Sequence, residues 1–181
     1  MFIGSPYNFA AGGGGGGGTP TNYADTANGG SITATVAALA STNLDSVING
    51  NRRCPNWGGG SGTVAGNGYH SASTVSGFIN FDVDFGATRS ITEIDIFFVP
   101  LPENDTSTPT LTQTSDYAIR SFEIFYWNGS SWISIQSVTG NDKVWRQFTF
   151  STISTTKIRL QATSGGLTYG YALLAEIEAW S

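Results

Sequence analysis

Apolar and polar residues alternate along most of this chain with a period of two, the spacing of a strand with one buried face. Over residues 78–85 the pattern puts Ile79, Phe81, Val83 and Phe85 on one side and Asn80, Asp82 and Asp84 on the other. Residues 157–162 alternate without a fault. Residues 91–99 form a nearly continuous apolar run, which predicts a strand covered on both faces. Residues 122–127 and 132–138 flank Asn128-Gly129-Ser130-Ser131, and an Asn-Gly step between two such runs predicts a hairpin. Residues 144–150 and 174–180 complete the set of strands. Helical signals are confined to residues 32–44, where Ala34, Ala37, Ala38 and Ala40 would support a turn or two. Many short strands divided by turn residues predict an all-β antiparallel sandwich or barrel. The longest interruption, residues 100–115, is rich in Pro and Thr and reads as a long loop of the kind that carries function.

The first 30 residues break this pattern. Gly12 to Gly18 is an unbroken glycine run, followed by Thr19-Pro20-Thr21-Asn22 and by Asn28-Gly29-Gly30. The chain therefore divides into an N-terminal arm, residues 1–30, and a β domain, residues 31–181. By composition the arm is a flexible linker. Holding seven glycines in one conformation would cost on the order of 10 kcal/mol. Contacts from a neighbouring chain are the simplest source of compensation, so the alternative is an attachment arm within an assembly.

Composition narrows the partners. Charged residues make up 12% of the chain, well below the roughly 25% of an average soluble domain. The formal net charge is −5, and the eight Lys and Arg residues form no basic run. A surface that tracks phosphates is excluded, and nucleic acid with it. A single cysteine, Cys54, leaves no intrachain disulfide, and with His70 as the one histidine it offers no thiolate zinc site. No stretch reaches the roughly 18 apolar residues of a membrane-spanning helix. Residues 1–7 lack the basic and apolar regions of a secretory signal peptide. The expected location is a virion or an extracellular surface reached by another route.

Catalysis finds little support. A Ser-His-Asp device would have to use His70, and no Gly-x-Ser-x-Gly elbow surrounds any serine. The carboxylate pairs Asp82/Asp84 and Glu176/Glu178 are spaced two apart on strands, so each pair shares one face. Glycoside hydrolysis needs carboxyls on opposing sides of a sugar. The expectation is a protein that is not an enzyme, with Asp82 and Asp84 on a solvated sheet face.

Several segments, taken in order, resemble one family. Val47-Ile48-Asn49-Gly50-Asn51, with Trp57 six residues on, resembles the Asp-Gly-Asn…Trp loop of discoidin-like domains, the coagulation-factor type-C or family-32-type carbohydrate-binding modules. Residues 79–86 with 91–94, residues 122–132, 156–160 and 175–180 are similar to that family's later strands. The resemblance covers residues 31–181 and implies an eight-stranded antiparallel jelly-roll β-sandwich, galactose-binding-like, with ligand loops at one end. The Asn-Gly-Asn-Arg…Trp-Gly opening also looks like that of domains on phage tail or virion proteins. Residues 1–30 match nothing in the family.

The resemblance carries expectations about residues. It implies a structural calcium joining the first loop to a Glu near the C-terminus, which here selects Asn49, Asn51 and Glu176. Asn49 stands where the family has an acid, offering an oxygen without charge. The alternative is that Glu176 holds the loop through backbone N–H groups. For ligand binding it selects Arg52, Arg53, Trp57, Tyr69 and His70, with Tyr169 and Tyr171 on the last loop. Sugar recognition needs an aromatic face and forked donors, and these residues supply both. The alternative for Trp57 is a core residue, and for the arginines a surface charge. Trp127, Trp132, Trp145 and Trp180 read as packing residues. The expected function is glycan or cell-surface carbohydrate binding by a domain displayed on a multi-copy particle such as a phage virion. Residues 1–30 would contact other virion or assembly subunits, and the chain would form a homo-oligomer without entering a membrane. The rivals are a purely structural decoration or fibre protein and a binding module of a secreted bacterial glycosidase.

Overall fold

The computed structural model describes residues 19–40, 42–53, 68–102, 105 and 107–181. Among them are seven strands: β1 (Ser31–Ala34), β2 (Tyr69–Thr74), β3 (Ile79–Phe98), β4 (Ser121–Trp127), β5 (Trp132–Val138), β6 (Trp145–Ser164) and β7 (Tyr171–Trp180). Every pairing is antiparallel. Two short 3₁₀ turns, Thr26–Asn28 and Leu44–Ile48, are the helical elements of the described residues.

Two long strands create the layers. β3 and β6 run for 20 residues each, about twice an ordinary strand, because each serves both sides of the sandwich. Residues 79–84 of β3 pair with β1 and with 157–162 of β6, and β4 and β5 extend that layer. Residues 93–98 of β3 pair with β7 and with 145–149 of β6, and β2 flanks β7. The β3–β6 register slips between Asp84 and Arg89 and again between Ile91 and Glu93. Bulges of this kind let a strand pass from one layer to the next.

The alternation of the sequence becomes the core. Ile79, Phe81, Val83 and Phe85 pack with Ile94, Ile96 and Phe98 from the other half of β3, and with Phe122, Ile124, Ile158 and Leu160. Residues 94–99 are buried on both faces, as the apolar run predicts, whereas Thr92 and Glu93 within that run stay half-exposed. Phe97 and Val99 join a second cluster with Tyr117, Leu173 and Ala175, against which Trp145 and Tyr171 pack.

The architecture is the expected antiparallel β-sandwich, of jelly-roll kind, with seven strands described where eight are expected. The segments 78–85 and 91–99 are one strand, as are 144–150 and 157–162. Gly86, at φ +71°, and the polar residues after it interrupt the alternation without ending the extended backbone. The helical expectation for residues 32–44 is corrected. Ile32 is a strand residue opposite Val83 in the core, and the helical turn begins only at Leu44. Asn43 caps it, accepting the Asp45 N–H at 3.0 Å.

Sandwich contacts begin at Thr21, ahead of the boundary at residue 31 that composition marks. Tyr23 N–H donates to the Ala179 carbonyl at 2.8 Å. The Asn22 side-chain oxygen accepts from Ala179 N at 2.9 Å and from Ala24 N at 3.1 Å. Ala24 is fully buried. A side-chain amide that completes a strand edge leaves no hydrophobic period in the sequence, so the join is silent there. The glycine run lies outside the described residues.

Candidate functional site

The outer face of β7 and the second half of β3 carry an unusual concentration of acid. Glu176 and Glu178 are buried there beside Asp95, which is itself buried. The loop 49–53 closes over them. Gly50 N–H donates to Glu176 Oε1 at 2.9 Å and Asn49 N–H to Oε2 at 3.4 Å. Gly50 has φ +77°, and a Cβ there would lie 3.1 Å from the Asp25 carboxylate. The left-handed backbone favours glycine here, and a Cβ would also crowd the Asp25 side chain. The Asn49 side chain accepts the Asn51 N–H at 2.9 Å and Asn51 that of Arg53 at 3.1 Å, two successive Asx turns that set the loop's shape.

Arg52 is the centre of this arrangement. It donates from Nε to Glu178 Oε1 at 2.7 Å and from Nη2 to Oε2 at 2.6 Å. Its guanidinium also lies 4.9 Å from the Phe97 ring centroid and 5.7 Å from that of Trp145. The fork geometry suits a carboxylate, and the planar cation suits the aromatic faces below it. For Tyr69 the expected ligand role is corrected. It is fully buried, its ring meets Phe81 edge-on at 4.8 Å, and its hydroxyl donates to the Val36 carbonyl at 2.7 Å. Strand alternation turns Tyr69 inward and His70 outward.

The remaining nominated residues fall into two groups. The His70 ring lies 4.6 Å from the Tyr171 ring, and its Nδ1 is 2.7 Å from the Ser71 carbonyl, which places the proton on Nδ1. Tyr171 packs on the second cluster. Tyr169, 59% exposed, stacks at 5.8 Å on Tyr117 of the same cluster. One aromatic patch thus holds His70, Tyr169 and Tyr171 on a shared apolar footing. Arg53 is exposed and tied to the long loop, its Nη2 donating to Thr108 Oγ1 at 2.8 Å. Trp57 lies outside the described residues. Tyr117, which carries Tyr169, escaped the sequence reading because it sits in a turn; its signal is the short apolar run Tyr117-Ala118-Ile119 ahead of β4.

Charge in the acidic layer is unbalanced. Burial pushes Glu176 well above the usual carboxylate range, and Glu178 and Asp25 push the same way, against the Gly50 and Asn49 N–H groups. Burial also raises Glu178, opposed by Arg52. Asp95 is pushed up to about 7, chiefly by burial and against the Trp145 indole N–H that donates to it at 2.8 Å. Arg52 is committed to Glu178, and no ion pair among the described residues reaches Glu176. Toward Glu176 the loop presents the Gly50 and Asn49 N–H groups, while the Asn49 and Asn51 side-chain oxygens accept N–H groups of the loop itself. Among the described residues no three His, Cys, Asp or Glu side chains gather as a metal site, so amide and carbonyl oxygens would have to complete the shell.

The fold is shared with several solved β-sandwich modules. It superposes on the family 32 carbohydrate-binding module of C. perfringens NanJ, solved with galactose, with a TM-score of 0.63, at 18% identity over 90% of this chain and 100% of that one. Chitosan-binding module 1 of a chitosanase/glucanase from Paenibacillus sp. IK-5 superposes at 0.59, with 19% identity, 89% of this chain and 99% of the other. The lectin domain of lectinolysin, solved with Lewis B antigen, gives 0.62 at 14% identity, covering 88% and 95%. The fold is thus the galactose-binding-like fold of family 32 modules and discoidin-like lectin domains, as the sequence resemblance implies. No family model and no curated protein matches the chain by sequence.

Proposed function

We propose that this chain is a non-enzymatic glycan-binding module whose ligand rests on the patch formed by His70, Tyr169 and Tyr171. The observation that carries this reading is the exposed Tyr169 ring, held by stacking on Tyr117 rather than by burial. An aromatic face fixed from behind and open in front is what the apolar side of a pyranose requires. His70, packed against the Tyr171 ring, extends the same aromatic patch. Arg53 supplies forked donors at the long loop.

The acidic layer would serve the same end. Glu176, with Asn49 and Asn51, would hold a calcium ion that neutralises the buried charge and stiffens the loop from which Arg53 extends. We further propose that the N-terminal arm attaches the module to a multi-copy particle such as a phage virion, the glycine run bridging particle and sandwich. Such display suits weak sugar sites, because many copies raise avidity without new contacts.

A glycan array probed with the protein clustered on beads tests the binding reading. Retention of defined glycans, lost in Tyr169→Ala, is expected; silence across the array overturns it. Deletion of residues 1–18 tests the arm, and unchanged incorporation into the particle overturns attachment.

A further inference from the structure

The opposite layer carries a hollow that the loop patch does not explain. It is a concavity of about 430 Å³ on the outer face of the β1-β3-β6-β4-β5 layer, within the roughly 300–1,000 Å³ of small-ligand sites. Its lining follows from register. Asp82 and Asp84 alternate with the core residues Phe81, Val83 and Phe85, so both face outward. Asp82 lies opposite Arg159 and Asp84 opposite Lys157 across the β3–β6 pair, while Thr33 and Ser31 of β1 flank the two acids on the other side. Beyond β6, Trp127 and Trp132 face each other across the mouth of the β4–β5 hairpin.

Two features set this face apart from an ordinary solvated sheet. The first is aromatic. Trp127 and Trp132 are half-buried, lie outside both apolar clusters, and meet edge-to-face at 5.4 Å. The expectation that they are packing residues is corrected: they wall the hollow. The second is the state of the charges. Arg159 grips Asp82 from Nε at 2.6 Å and Nη2 at 2.7 Å, and its guanidinium lies 4.2 Å from the Trp132 ring centroid. Lys157 reaches Asp84 at 3.0 Å. Two cations and two anions are closed into pairs, so the hollow has no net charge to offer an ionic ligand.

What these pairs do offer is hydrogen bonding in fixed directions. Each carboxylate keeps acceptor lone pairs, and Arg159 keeps three of its five N–H donors after the two spent on Asp82. Donors and acceptors side by side, held rigid by their own pairing, match the vicinal hydroxyls of a polyol. Indole edges and faces match its C–H surfaces. We propose that this sheet face is a second carbohydrate-binding site, taking a neutral oligosaccharide along the Trp127–Trp132 wall with its hydroxyls on Asp82, Asp84, Lys157 and Arg159. The site is independent of the loop patch and stands or falls separately from it.

Titration of the full chain with laminarihexaose, cellohexaose and maltohexaose, followed by calorimetry and by tryptophan fluorescence, tests the proposal. At least one hexasaccharide binds, and Trp127→Ala and Asp84→Asn each weaken it at least tenfold while Tyr169→Ala leaves it unchanged. Asp84 and Lys157 are 39% and 43% exposed, so Asp84→Asn tests the site in a folded protein even where Trp127→Ala lowers the melting temperature. Silence of all three sugars with the wild-type chain overturns the site. Binding lost in Tyr169→Ala but kept in Trp127→Ala also overturns it, while supporting the loop patch. Tighter binding of hexagalacturonate than of any neutral sugar overturns the ligand class.

Discussion

Arg52 and Glu178, 126 residues apart, are joined by two parallel hydrogen bonds at 2.7 and 2.6 Å, with the Glu178 side chain only 3% exposed. This pair fastens the first loop of the sandwich to its last strand. Removing one partner of such a pair leaves a buried charge uncompensated. Arg52→Ala is therefore expected to cost about 3 kcal/mol in urea denaturation, and adding Glu178→Gln to recover part of that loss. A single-variant loss below about 0.5 kcal/mol, the scale of an ordinary surface change, would show that the pair does not hold the loop.

Asp95 predicts a pH dependence. Its folded pKa, about 7, lies above its unfolded value of 3.8. The native state therefore binds the extra proton between those values, and this group's contribution to stability falls as pH rises from about 4 to about 7. Asp95→Asn keeps an acceptor for the Trp145 N–H and never ionises. Its melting temperature is expected to fall less than that of the wild type across this range and to exceed it at pH 8. Parallel curves for the two proteins would sink the assignment.

Tyr169 separates binding from stability. The side chain is largely exposed and rests on Tyr117 alone among the ring contacts of the described residues. Tyr169→Ala should abolish retention on the glycan array and change unfolding free energy by no more than about 0.5 kcal/mol. Tyr171→Ala, which removes a ring from the second cluster as well as the His70 contact, should lower both. Equal losses of stability in the two variants would place Tyr169 in the packing rather than in the ligand site.

Calcium at Glu176 has a thermodynamic signature. An ion that binds only the folded state adds roughly 2.7 kcal/mol at a hundredfold excess over its Kd. The melting temperature in calcium should exceed that in EDTA, and the difference should vanish in Glu176→Gln. Identical melting curves in calcium and EDTA would leave Glu176 to hold the loop through the Gly50 and Asn49 N–H groups alone.

Much of the fold can be read along the chain because strand alternation is a local property. The period of two at Ile79, Phe81, Val83 and Phe85 states which side chains go inward, and all four are buried. The same rule turns His70 out and Tyr69 in, but the sequence does not separate the two, since β2 is short and its polar Ser71, itself buried, hides the alternation. Glu176 and Glu178 were legible as a pair on one face, but their burial was not. A sequence records no lid, and the loop 49–53 that covers them comes from the other end of the chain.

The sequence by itself determined the β-sandwich and the two faces of each strand, through residue spacing and turn chemistry that act within a few positions. Only the tertiary structure decided which outward residues would meet. Arg52 finds Glu178 because the first loop folds over β7. Trp127 and Trp132 share a hollow with Asp82 and Arg159 because register and strand order align β3, β6, β4 and β5. Those meetings depend on strand pairing between distant segments, and hydrophobic pattern carries no term for a partner 77 or 126 residues away.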